Sequence, residues 1–486
     1  MVRGGKENKR LLPKYSERSI VHMIRDLEHV STRYLTKSTP TRRMERTIAL
    51  GIAWFLALTV LVPHVVIHGI SIGIDDISAA FILLFLTGYI LQKPNNPFCR
   101  LSGLPITILW AAIIITGIVF SIFGGLFYLN KFHPPTEMWQ YVKRMAFFYF
   151  VCYLSYRSII SSRSFHSCLQ NVLILAFLIG ILQVLPGHIG DYLAGLYART
   201  EGQLSLTEKS FAVSRNYGVA GSATAWGGFS MFGAAVSLGG LLANSERRIK
   251  RSSSRIRLWI ILGLAIVNVM FSGSRVAMAA ILAVYVIFIV ISFFRTRSKF
   301  RLFITYISGS VLVCIGFVYM FWDKVLFIIY RFGVLIDQSG GARIDQVREA
   351  VSLLLDAQSW IFGVGNATQR TLATSFGTEV EPVFLLVNYG ILGVALRYGL
   401  LLVIFIYACR QLKRAAQNDL GLTIATVLAL SGYAVFSLGY FFYHELHVGM
   451  MPWLLFGWVV GSYYRYRRLT FDGSYISIPS TSREDS

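Results

Sequence analysis

Negative charge is scarce in this chain: 24 Asp and Glu stand against 46 Lys and Arg over 486 residues, and all charged residues together make up only 14%. Such a composition excludes the ordinary soluble classes, because 55% of the residues are hydrophobic and the mean hydropathy is +0.58. Cysteine is equally sparse. The five, at 99, 152, 168, 314 and 409, fall singly in or beside apolar runs without a close CxxC pair, which argues against both a disulfide framework and a zinc site. No internal repeat emerges, which weighs against a secondary transporter built from inverted halves. A net charge of +22 would suit a nucleic-acid partner if the basic side chains shared one soluble face. They fill the gaps between apolar runs instead, and the positive-inside rule accounts for them without nucleic acid.

What the chain does have is long apolar segments. About 20 such residues cross the hydrocarbon core, and twelve candidates start near 47, 77, 102, 139, 166, 217, 257, 276, 302, 382, 420 and 448. The fourth carries Lys143 and Arg144 in its first turns, so it reads either as a span or as an interfacial helix. With the N-terminus in the cytoplasm, the inside gaps and tails hold 33 of the 46 Lys and Arg, NSERRIKRSSSRIR (244–257) and RTRSKFR (295–301) being the densest. The expectation is an all-α polytopic membrane protein with about twelve transmembrane helices and both termini inside. A basic cytoplasmic tail (1–46) precedes a single membrane domain (47–466), and a cytoplasmic tail (467–486) follows it. The first span is expected to stay as an uncleaved anchor, since twelve Lys and Arg precede it over a lead too long for a secretory signal. That tail is either solvated, drawn to anionic headgroups, or a contact for cytoplasmic partners.

One large outer loop, 323–380, interrupts the spans. Within it ARIDQVREAVSLLLDA (342–357) sets Ile344, Val347, Val351 and Leu354 at helical spacing, which predicts an amphipathic helix lying over the bundle. Gly340 and Gly341 precede it and FGVG follows.

Three arginines fall on the outer side, where the charge bias disfavours them: Arg215, Arg275 and Arg343. Each is costly there unless it meets an anion or the interface. Arg275, with only FSGS between it and the preceding apolar run, should face a cavity or a partner, the bland alternative being a tight turn whose arginine snorkels. The glycines of YGVAGSATAWGGFSMFGAAVSLGG suit close helix packing better than a phosphate cradle. Asp75 and Asp76 open the second span and complement its helix dipole. HELH (444–447) is not HExxH, so no metal is expected from it. Arg397, inside the tenth candidate, either snorkels or lines a cavity.

Taken in order, these pieces resemble the O-antigen ligase and O-antigen polymerase superfamily of membrane glycosyltransferases over roughly residues 170–400. The series runs from Arg215, Gly218 and Gly221 through Ser-Gly-Ser-Arg (272–275) to Arg343 ahead of a helix ending in Phe-Gly-Val-Gly (362–365), and then to EVEPVFLLVNYGILG. In the ligase branch that last segment has a histidine upstream of Gly-x-x-Gly. Counting back from Gly390 and Gly393 places Glu379 there, and no histidine occurs between His188 and His444, so the polymerase branch gains weight.

The resemblance implies GT-C-like architecture and a polyprenyl-diphosphate-linked donor gripped by Arg215, Arg275 and Arg343, guanidinium being suited to bidentate phosphate contacts. It implies Glu379 or Glu381 as the proton acceptor for the attacking hydroxyl, and no cofactor. Tyr217, Trp226 and Trp360 are candidate sugar-stacking residues. The expected activity is polymerisation of lipid-linked repeat units into a surface polysaccharide or exopolysaccharide at the outer face of a bacterial plasma membrane. Its partners would be the donor, a glycan acceptor, membrane lipids and other assembly and export proteins. Transfer to a lipid core or to protein belongs to the same superfamily; a transporter or a non-catalytic export subunit would be a different class.

Overall fold

The computed structural model describes residues 42–63, 65–67, 70–92, 105–185, 187–198, 216–246, 252–295, 342–372, 380–414, 419–440 and 448–473, with scattered helical positions between 304 and 329. The elements in chain order are α1 (Arg42–Leu61), α2 (Ile74–Gln92), α3 (Pro105–Leu129), α4 (Met138–Tyr156), α5 (Ser162–Leu182), α6 (His188–Tyr197), α7 (Ala223–Glu246) and α8 (Ser252–Ser272). They continue with α9 (Arg275–Arg295), α10 (Ala342–Ala357), α11 (Asn366–Leu372), α12 (Glu381–Arg414), α13 (Leu420–Phe436) and α14 (Met450–Gly473).

Seven of these, α2, α3, α5, α7, α8, α9 and α12, are long and apolar enough to cross a membrane by length and composition, and α1 and α13 contain shorter apolar stretches. The protein is a polytopic helical membrane protein. Large side chains such as Phe81, Leu84, Ile108, Ile115, Leu282 and Phe294 stay exposed, as lipid-facing surface should. One departure from the all-helical expectation is a small antiparallel pair, β1 (Val65–Ile67) with β2 (Ile70–Ile72), in which Val65 faces Ile72. Its β-branched residues favour extended backbone. The candidate span near 302 falls largely outside the described residues.

Helix α7 forms the centre: every residue from Ala225 to Ala243 is buried, under α8, α9 and α13. Its glycines serve packing. A Cβ on Gly239 would stand 2.5 Å from the Gly421 carbonyl oxygen of α13, and one on Gly233 would stand 2.4 Å from the Phe177 ring of α5.

The fourth candidate is a core helix and not an interfacial one. Lys143 is 1% exposed, but Asp75 and Asp76 at the start of α2 hold its Nζ at 2.5 and 2.7 Å, and Trp139 donates to Asp76 Oδ1 at 2.8 Å. The two acids therefore serve a lysine as well as the helix dipole. On its other side α4 packs along α14. There Gly457 and Gly461, four apart on one face, would place a Cβ 2.2 and 2.3 Å from the Phe148 and Cys152 carbonyls. Only glycine permits that approach.

At the basic end of the bundle, Arg295 donates to Glu246 at 2.8 Å and to the Leu412 carbonyl at 2.6 Å, joining α9, α7 and α12. Asp419, 1% exposed, accepts from Arg465 at 2.6 Å, Tyr466 at 2.8 Å and Trp458 at 3.3 Å, while Arg465 also donates to Ser155 of α4. The loop helix α10 has the predicted limits, but its buried face is Gln346, Ala350 and Leu354, and Ile344 is exposed. The packed stripe is rotated relative to the apolar one: Ala350 and Leu354 share a cluster with Val387 near the start of α12.

Candidate functional site

Opposite the basic end, the turn from α8 to α9 places Arg275. Gly273 takes a positive φ of 58° after the last turn of α8, and its N–H donates to Met270 O. Ser272 Oγ accepts from the Ser274 N–H, and Ser274 Oγ caps α9 by accepting from Ala277 N–H at 3.4 Å. Arg275 is thus the first residue of a helix and half-buried. Gly227 of α7 closes against this turn, since a Cβ there would stand 2.6 Å from Ala277.

A buried amide network fixes what comes before α7. Asn268 of α8 uses its full capacity of two acceptor and two donor bonds. Its Oδ1 accepts from Asn216 Nδ2 at 2.9 Å and Trp226 Nε1 at 3.0 Å; its Nδ2 donates to Phe177 O at 3.2 Å and Leu264 O at 2.8 Å. Asn216 also donates from its side chain to Gly180 O and from its backbone to Phe271 O at 3.2 Å. The last bond ties the residue following Arg215 to the segment four residues before Arg275. Arg215 itself lies outside the described residues.

This network corrects two expectations. Trp226 is fully buried, stacked on Phe229 and edge-on to Phe177, with its N–H given to Asn268. It is a core side chain with no face for a sugar. Tyr217 is 6% exposed and donates its hydroxyl to Ala194 O at 2.5 Å; burial pushes that phenol up to about 12, so it serves as a neutral donor that holds α6. Gly218 of the Arg-x-x-Gly motif makes room for the Trp226 ring, 2.2 Å from where its Cβ would be.

The second part of the site is a fold-back. The tenth candidate span, read from 382 onward as continuous, breaks at Gly390 (φ 64°, ψ −170°). In an unbroken helix the Cα atoms of residues 381 and 397 would lie about 24 Å apart. Yet Arg397 Nε stands 3.8 Å from Glu381 Oε1. The arm 381–389 therefore runs back along the arm 391–414.

Such a break strands helix-end backbone groups, and the loop motif 360–365 supplies them. Val364 and Gly365 N–H donate to Val387 O and Asn388 O at 2.7 and 3.2 Å; Ile391 and Leu392 N–H donate to Trp360 O and Ile361 O at 2.9 and 3.4 Å. Phe-Gly-Val-Gly and Gly-x-x-Gly thus form one main-chain clasp. Gly363 and Gly365 have positive φ, and a Cβ on Gly390 would stand 2.0 Å from Ile361 O. Gly124 of α3 closes the back, with Val364 O 2.1 Å from its Cβ position. Trp360 is half-buried over Leu354, Val364 and Val387.

Glu381 is fully buried, accepts from the Tyr433 hydroxyl, and donates its backbone N–H to Ser437 O at 3.0 Å. Glu379 lies outside the described residues, and Arg343 is described only by its place in the first turn of α10. HELH lies outside them too. Among the described residues no group of three or more His, Cys, Asp or Glu comes together.

The end of α13 joins both parts. Ser437 and Tyr433 hold Glu381, and three residues on from Ser437 the Tyr440 hydroxyl meets Ser222 Oγ at 3.5 Å, just before α7. The Arg275 turn, the Asn216 segment and the fold-back arm therefore belong to one end of the bundle. Asn216, Asn268 and the Gly390 reversal were not singled out in the sequence. The spacing of Arg-Asn-x-Gly from an asparagine four residues before Ser-Gly-Ser-Arg was the available signal.

No curated protein matches the chain. Residues 260–398 match the family model described as O-Antigen ligase, a stretch that contains the Arg275 turn, Arg343, the clasp and Arg397. That match, over 139 of the 486 residues, supports membership of the O-antigen ligase and polymerase superfamily.

Proposed function

We propose that this protein polymerises polyprenyl-diphosphate-linked oligosaccharide units into a surface polysaccharide or exopolysaccharide at the outer face of a bacterial plasma membrane. The observation that carries the reading is the Asn216 to Phe271 backbone bond, which ties the chain next to Arg215 to the turn that presents Arg275. Asn216 and the Ser-Gly-Ser-Arg turn thereby meet at the end of the bundle that also carries the fold-back arm.

In the proposed reaction the acceptor hydroxyl oxygen bonds to C1 of the donor sugar. The bond from C1 to the diphosphate oxygen breaks, and its electron pair leaves on the diphosphate. Arg215, Arg275 and Arg343 meet the charge that grows there, each preorganised donor being worth about 10² to 10³ in rate. The hydroxyl proton passes to Glu379. Glu381, committed to Tyr433 and facing Arg397, acts as a positioning residue for the segment that carries Glu379. Trp360 remains the candidate sugar platform.

The family's description favours a second reading, transfer of a finished glycan to a lipid acceptor. The lack of histidine from 189 to 443 supports the first. The test is the product in membranes: a ladder of many repeat lengths for polymerisation, a single block transfer for ligation. Arg275→Ala and Glu379→Gln, at wild-type folded level, should reduce the ladder to single units, and an unchanged ladder from Arg275→Ala would overturn the assignment.

A further inference from the structure

Arg397 is 1% exposed, and none of Nε, Nη1 and Nη2 has a hydrogen-bond acceptor among the described residues. Its guanidinium carbon lies 5.0 Å from the Trp453 ring and 5.5 Å from the Tyr141 ring, so two aromatic faces hold it while its edge donors are left unmet. The carboxylate facing it, Glu381 Oε1, is 3.8 Å from Nε, beyond hydrogen-bond reach. Arg144 and Glu137 also lie within electrostatic reach of Tyr141, and Glu137 accepts from Ser121 at 2.5 Å.

Two other buried ion pairs in the same molecule show what a purely architectural pair looks like here. Lys143 with Asp75 and Arg465 with Asp419 close to 2.5 and 2.6 Å as hydrogen bonds. The Arg397 and Glu381 pair does not close: Glu381 gives its other oxygen to Tyr433, and Arg397 keeps five N–H donors in the fork that fits two phosphate oxygens.

We infer that Arg397 is a further anion-binding residue of this site, taking oxygens of the donor diphosphate, with Glu381 balancing its charge until the anion arrives. Glu381 begins the arm 381–389 and is tied to α13 through the Tyr433 hydroxyl and the Ser437 carbonyl. The inference deepens the diphosphate reading and rests on it, but its test is a binding measurement and not polymer formation.

The experiment is thermal unfolding of the purified full-length protein in detergent, titrated with sodium pyrophosphate and, separately, with sodium glucuronate at constant ionic strength. Pyrophosphate is expected to raise the wild-type midpoint. Arg397→Gln should weaken pyrophosphate binding at least about tenfold, the loss expected when a bidentate charged contact is removed. Glu381→Gln, which removes the competing carboxylate, should strengthen it severalfold, an effect that a purely structural pair would not produce. Should Arg397→Gln fail to fold, Glu381→Gln carries the test alone. Unchanged pyrophosphate affinity in Arg397→Gln, no strengthening in Glu381→Gln, or protection by glucuronate alone would each overturn the diphosphate assignment. Arg397-dependent pyrophosphate binding without any polymer ladder would instead remove the polymerase reading and leave this one standing.

Discussion

Replacing Asn268 by leucine keeps the volume of a side chain that spends all four hydrogen bonds on α5, α7, α8 and the Asn216 segment. The Trp226 N–H would lose its acceptor inside a fully buried site, while Asn216 would keep only Gly180 O for its side chain. The Leu264 and Phe177 carbonyls lie within helices and lose less. One wholly orphaned donor at about 1–3 kcal/mol and one half-satisfied amide at about 1 kcal/mol give a loss of about 2–4 kcal/mol. The sharper measurement is a double-mutant cycle with Trp226→Phe, which removes the N–H that Asn268→Leu orphans. The double variant should therefore recover about 1–2 kcal/mol relative to the sum of the singles. Unfolding of the detergent-solubilised protein supplies the stabilities, and the polymer ladder in membranes reports whether the Asn216 segment still sits against Phe271. Additivity within about 0.5 kcal/mol, together with an unaltered ladder in Asn268→Leu, would refute the claim that this network sets the arginine geometry.

Gly390→Ala should abolish the fold-back, because a Cβ would stand 2.0 Å from Ile361 O at a backbone conformation that only glycine adopts freely; size-exclusion of the solubilised protein should show aggregation or loss, and a monodisperse wild-type yield would contradict this. Asp419→Ala leaves Arg465 without its carboxylate in a half-closed site and should destabilise by about 3–5 kcal/mol, yet shorten no polymer at matched protein level, since it acts at the opposite end of the bundle. Gly461→Leu should separate α14 from α4 at the Cys152 carbonyl and lower the thermal midpoint far more than Gly399→Leu, whose Cβ position has nothing within 4 Å.

Hydropathy made the spans legible, and the limits of α10 were readable because glycine-containing segments flank a stretch of helical period in the sequence. Direction was not readable. EPVFLLVNYGILGVALRYG is apolar on both sides of Gly390, and an apolar run carries no mark of whether the chain continues or returns. The partners of Lys143 are equally invisible in sequence, standing 68 and 67 positions away, so a helix that looked interfacial proved central. Trp226 and Tyr217 are sugar-stacking candidates in sequence; their polar atoms are satisfied inside the bundle, a fact that depends on Asn268 and Ala194 arriving from elsewhere. Arg275 sits where the sequence put a junction between two apolar runs, as the first residue of a helix.

The clasp between 360–365 and 387–392 is made of amide groups, and beyond its glycines it prescribes no side chain. Ile361, Phe362 and Ile391, each more than half exposed, project from a scaffold whose shape they do not determine. Relatives could therefore retailor this rim for differently shaped sugars or lipids by ordinary substitution, keeping the hairpin beneath it intact.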